Sequence, residues 1–184
     1  MKKMVQDKAE KDLWIEMSIG EISTQARFAD IAYKNIDPKA THGTDVVFSS
    51  IHSFLSHCAM ISKMLKATNR GTSIGAVLGI ASTSSIHKRT FRNNLEHYDK
   101  ELKRWIARYG VNASVGTYVI APKAKLKIPN MIYVSHYDPT NSTFTFVNEE
   151  FDLRLLYQES QAIRGIADKW MEAVTLGRIQ PPFA

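Results

Sequence analysis

The sequence predicts an all-α fold, a four-helix bundle with a small β-hairpin inserted before the last helix. Three observations predict it. Four segments repeat apolar residues at alternating steps of four and three, the mark of one buried stripe per helix. Turn residues bound these segments. Over about 118–148 the helical period disappears and short strand-like runs replace it. No internal repeat or low-complexity linker divides the 184 residues. Residues 1–184 therefore read as a single helical domain carrying that insert.

Residues 1–12 read as a charged, frayed lead-in. From Trp14 the stripe Ile15, Ile19, Ile22, Ala26, Ala29 and Tyr33 predicts the first helix. It ends at Asp37-Pro38, because the residue before a proline avoids helical backbone. Thr44 is a fair N-cap, and Asp45 suits the positive end of the helix dipole. Val47, Ile51, Phe54, Cys58, Ile61 and Leu65 form the second stripe, widened by Phe48 and Leu55 to meet two neighbours. Residues 67–85 are rich in Gly, Ser and Thr and read as a short packed turn or a mobile connector. Ser84 or Ser85 then caps a third helix running to about Tyr109, with Gly110 as its stop.

Beyond it, Lys123, Lys125 and Lys127 alternate with Ala124 and Leu126, a short strand or edge pattern. Residues 131–136 and 143–147 are strand-like, and Asp138-Pro139-Thr140-Asn141 is a turn signal between them. The last helix starts near Asp152. Its stripe is Leu153, Leu156, Ser160, Ile163, Ala167, Trp170 and Val174, and Gly177 closes it.

Composition narrows the function classes. A hydrophobic content of 44% in a chain of this length is enough to bury a core without staples. The single cysteine, Cys58, lies on the second apolar stripe and reads as a small buried hydrophobe. Six scattered histidines carry no zinc spacing, and no glycine-rich loop opens a helix after a strand, so neither a metal nor another cofactor is expected. No eighteen-residue apolar run and no signal-like start are present, which makes a cytoplasmic, membrane-free protein the expectation. A net charge of +6 fits an anionic partner such as RNA.

The third helix carries the chemistry. Phe91, Leu95, Tyr98, Leu102, Trp105 and Tyr109 form its apolar stripe. At about 100° per residue, Arg92, Asn93, Glu96, His97, Lys100 and Arg104 fall on the opposite side. Cleaving RNA without a metal needs a group that titrates near neutral pH to move protons at the 2′-hydroxyl and the leaving oxygen. An imidazole, with a reference pKa of about 6.5, meets that need. It also needs fixed positive charge at the non-bridging oxygens, which a planar guanidinium supplies. Asn93 lies one turn before His97, so its amide can orient the imidazole or a phosphate oxygen. Arg92 and Glu96 share the same spacing, which allows a supporting ion pair or a solvated surface pair.

The run Arg92-Asn93-Asn94-Leu95-Glu96-His97 resembles the R-x4-H motif, in its Arg-Asn form, of the HEPN superfamily. Its place on the third helix of an all-α bundle fits as well. The resemblance implies a metal-independent endoribonuclease that attacks through the 2′-hydroxyl, acting as a toxin or in phage defence. It implies Arg92, Asn93 and His97 as catalytic residues, with Glu96 and Asp99 supporting them. Lys100, Lys103, Arg104 and Arg108 would guide RNA along its backbone. It further implies a homodimer that brings two motifs into one cleft, since one helix supplies only one histidine. A nucleotidyltransferase-like antitoxin is an expected partner. The rival expectations are a non-catalytic HEPN-like module that binds RNA, nucleotide or protein, and a structural helical adaptor.

Overall fold

The computed structural model describes residues 2–36, 43–88, 93, 97–109, 114–126, 131–146 and 149–177, a few of them by backbone alone. Helix α1 (Lys2–Lys34) and helix α2 (Thr44–Lys66) come first. A two-residue hairpin, β1 (Thr68–Asn69) and β2 (Thr72–Ser73), leads into the short helix α3 (Ile74–Val77) and a 3-10 turn at Ser85–His87. Helix α4 (Tyr98–Tyr109) precedes β3 (Ser114–Gly116), β4 (Val119–Ile120) and a second 3-10 turn at Lys123–Lys125. Strands β5 (Met131–Tyr133), β6 (Ser135–Asp138), β7 (Thr143–Phe146) and β8 (Glu149–Asp152) run directly into helix α5 (Leu153–Thr175).

The expected all-α four-helix bundle is overturned: the fold mixes helix and sheet. Helices α1, α2 and α5 pack together on the predicted stripes. Ile15, Ile19, Ile22, Ala26 and Ala29 are buried from α1, and Val47, Ile51, Phe54, Cys58, Ile61 and Leu65 from α2. Leu153, Leu156, Ile163, Ala167 and Trp170 are buried from α5. A four-stranded sheet, in the order β4-β6-β7-β8, covers the side where a fourth helix was expected. Strand β4 runs parallel to β6, and β6-β7-β8 are antiparallel. Along β7, Phe144 and Phe146 point inward and alternate with half-buried threonines. Their rings meet Phe48 and His52 of α2 at centroid distances of about 6 Å. Phe151 of β8 sits opposite Phe144 and is also buried. An aromatic inner face of this kind buries area as effectively as a helix stripe.

The third helix is shorter than expected, for a local reason. The carboxylate of Glu159, on α5, accepts the backbone N–H groups of Ser85 and Ile86 at 3.2 and 2.8 Å and the Ser84 hydroxyl at 3.0 Å. Those donors are held in a 3-10 turn instead of starting a long helix. The backbone at Lys88 is then extended. Its ammonium reaches Glu149 at 3.3 Å and lies 4.9 Å above the Phe151 ring, tying this segment to the sheet edge. Ser84 therefore caps a single turn; Asn93 is again helical, and α4 runs from Tyr98. Among the described residues, α4 shares no extended packed surface with α1, α2 or α5.

Two further expectations change. The charged lead-in is helical from Lys2, and Asp7 pairs with Arg70 of the β1-β2 turn at 3.2 Å. Lys123 and Lys125 lie in a 3-10 turn instead of a strand, and Lys127 falls outside the described residues. Residues 67–85 hold the β1-β2 hairpin and α3, which bury Ile74 and Leu78. Gly75 allows a close approach there, since a Cβ on it would stand 3.0 Å from the Leu65 carbonyl oxygen.

Candidate functional site

Arg92 and Glu96 lie outside the described residues, as do Phe91, Asn94, Leu95 and the stripe side chains Tyr98, Leu102, Trp105 and Tyr109. What is described is the backbone that joins the motif to α4. The His97 N–H donates to the Asn93 carbonyl at 3.0 Å, and the Glu101 N–H donates to the His97 carbonyl at 3.0 Å. Both are four-residue helical bonds, and His97 sits in a turn between the helical Asn93 and α4. At about 100° per residue, Asn93, His97, Lys100, Arg104 and Arg108 then share an arc of about 80°.

All five are exposed, as are Asp99 and Lys103. Arg104 is held by Glu101 one turn back, at 2.5 Å. Among the described residues no ion pair engages Lys100 or Lys103. Asp99 and Glu101 occupy the first turn of α4 and Arg108 its last, the order the helix dipole favours. The imidazole, the amide and a row of cations are thus all open to solvent.

A second locus was not legible in the sequence. A cavity of about 420 Å³ opens between α1 and α2, lined by Phe28, Ile31, Asn35, Ser49, Ser53 and His57 among others. The His57 ring lies 5.4 Å from the Phe28 ring. A relay orients it. The Gln25 amide donates to Glu21 at 2.7 Å, which turns the Gln25 carbonyl oxygen toward His57 Nδ1, also at 2.7 Å. An amide oxygen only accepts, so Nδ1 carries the proton and the neutral ring keeps Nε2 as its acceptor. Burial lowers the His57 pKa and favours that neutral form. The partner of His57, Gln25, is 32 residues away, so no spacing rule could find the pair.

His52, His87, His136 and Cys58 serve the fold. Burial lowers the pKa of His52, which packs against Phe144. A second cavity, of about 270 Å³, lies beside it and is lined by Asp45, Phe48, Ser49 and Tyr118. His87 meets the buried Ser62 hydroxyl at 3.3 Å, so it anchors the 3-10 turn to α2. His136 is buried and donates to the Ala121 carbonyl at 2.8 Å. Burial, with Glu159 nearby, pushes the Cys58 thiol far above its ordinary pKa, as an inert core thiol requires. Among the described residues no three metal-binding side chains cluster, and no helix is long and apolar enough to cross a membrane. No protein-family model, no curated protein and no solved structure matches this chain.

Proposed function

We propose that this chain binds RNA along the exposed face of α4 and cleaves it, without a metal, at the Arg92–His97 motif. One observation carries the reading. The helical bonds through Asn93, His97 and Glu101 put the imidazole at the head of an exposed basic face formed by Lys100, Arg104 and Arg108. Cations on one helix face follow a phosphate backbone, and an imidazole at its end can move a proton.

In this reading the 2′-oxygen bonds to phosphorus as the bond from phosphorus to the 5′-oxygen breaks. One His97 takes the proton of the 2′-hydroxyl, and a second copy's His97 gives a proton to the departing 5′-oxygen. Arg92 neutralises charge on the non-bridging oxygens, and Asn93 holds one of them. A toxin or phage-defence role, with an antitoxin as partner, follows only from the resemblance of the motif to HEPN ribonucleases. The bundle architecture no longer supports that resemblance.

A second reading is RNA binding without cleavage. It is favoured by the openness of the motif: Asn93 and His97 stand in solvent and line neither of the two cavities above. One experiment separates the two readings. Labelled single-stranded RNA is incubated in EDTA with the parent protein, His97→Ala and Asn93→Ala. Cleavage by the parent, reduced by about 100-fold or more in His97→Ala, supports the nuclease. Equal binding by all three without cleavage supports the binding module. Absence of RNA binding at low salt overturns both.

A further inference from the structure

Helix α1 has a second apolar stripe that its own fold leaves open. Leu13 is 57% exposed, Met17 67%, Phe28 45% and Ile31 59%. At about 100° per residue these four fall with Gly20 and Thr24 in an arc of about 80°, roughly opposite the core stripe of α1. Neighbours flank this arc without covering it. Ser23 reaches Asp168 of α5 on one side, and Gln25 reaches His57 of α2 on the other. Four large apolar side chains in one line on an outer helix mark a contact surface.

The order of residues says what covers it. The stripe reads nearly the same in both directions about residue 22. Leu13 mirrors Ile31, Met17 mirrors Phe28 within one position, and Gly20 mirrors Thr24. Large groups therefore stand at both ends and small ones at the centre, where two helices crossing antiparallel come closest. The flanking charges follow the same symmetry. Glu16 and Arg27 are exposed on one flank of the stripe, and among the described residues neither has an ion-pair partner. A two-fold axis near residue 22 sets Glu16 of one copy beside Arg27 of the other, twice. The α1–α2 cavity completes the match. It lies beside Phe28 and Ile31, where the axis delivers Met17 and Leu13 of the second copy.

We propose that the outer face of α1 is an isologous homodimer interface, in which two α1 helices pair antiparallel and Leu13 and Met17 of each copy fill the α1–α2 groove of the other. Such an interface is self-complementary in shape and in charge. It is separate from the motif on α4, and its test reads mass instead of cleavage. Failure of the nuclease reading leaves it untouched; a dimer indifferent to the changes at Glu16 and Arg27 leaves the nuclease reading standing, whereas a monomeric parent also removes the second His97 that reading uses.

Sedimentation equilibrium of the full chain decides the matter. The parent is expected to be a dimer at micromolar concentration. Arg27→Glu and Glu16→Arg each place like charges across both ends of the axis, and each is expected to weaken the dimer by roughly tenfold or more. The double variant, with Glu16→Arg and Arg27→Glu together, restores the pairs and the parent mass. Both positions are exposed, so far-ultraviolet circular dichroism of all four proteins is expected to coincide. A monomeric parent, or a dimer indifferent to both single changes, overturns the interface. Single effects that add in the double variant, instead of cancelling, overturn the pairing.

Discussion

Asp138 ties three stretches of chain together with one carboxylate. It is 2% exposed and accepts from the backbone N–H groups of Lys123 and Thr140, each at 2.8 Å, and from the Asn141 amide at 3.3 Å. Burial alone would raise its pKa, but these donors outweigh burial and hold it below the usual carboxylate value. The turn signal at 138–141 was legible because Asp before Pro-Thr-Asn is turn chemistry. The bond to Lys123 was not, since it spans 15 residues. Asp138→Ala is expected to cost about 2–3 kcal/mol in denaturant unfolding, because it strands buried donors. The histidines act in a higher pH range. His52 and His57 have pKa values lowered by burial, so the folded chain disfavours their cations. As pH falls through about 6.5 the unfolded state takes up protons first, and stability is lost. The melting temperature of the parent should fall between pH 7 and 5. The double variant His52→Gln, His57→Gln should show a smaller fall over that range.

At the scale of elements, the three helix stripes were legible because burial on one face imposes a period on the sequence. Strand β8 was not, since Glu149, Glu150, Phe151 and Asp152 offer one apolar residue among three acids and look like a helix approach. Only its register against β7, with Phe151 opposite Phe144, makes it a strand. Asp152 then serves both elements, pairing with Thr143 and capping α5 by accepting from the Leu155 N–H at 2.9 Å. Strand β4 is two residues long, below the length at which alternation can be read. If the sheet stands in for a fourth helix, its aromatic face must carry a comparable share of the core. Phe144→Ala is therefore expected to destabilise by about 3–5 kcal/mol in equilibrium unfolding. A loss below about 1 kcal/mol would mean that the sheet is a surface addition. The third helix was started too early, at Ser84 or Ser85, because a serine cap looks the same in sequence whether one turn or many follow it. No period reports that Glu159, 73 residues beyond Ile86, takes the N–H groups upstream of it.

Across the whole molecule, stability is expected to be uneven. Helices α1, α2 and α5 share one core, while the described side chains of α4 are exposed, apart from the half-buried Glu101. Native-state hydrogen exchange should show the amides of α1, α2 and α5 opening only with global unfolding, while those of α4 open locally at lower free energy. Protection of α4 equal to that of α2 would contradict this. RNA bound along Lys100, Arg104 and Arg108 would raise α4 protection selectively, which links this prediction to the proposed function. Dimerisation through α1 would leave α4 protection unchanged.

The sequence by itself determined which faces of α1, α2 and α5 are buried, where Asp152 starts the last helix, and that Cys58 is core. Each of these is local, because a repeat of three and four or a cap is written within one turn of chain. It also made the motif at 92–97 visible, as a pattern of residue types. Only the tertiary structure decided that a sheet fills the fourth side, that Glu159 halts the helix before the motif, and that His57 is oriented by Glu21 through Gln25. Those outcomes depend on which distant backbone donors, aromatic faces and amides meet. Such meetings are settled by satisfying every buried polar group at once, and no single segment records them.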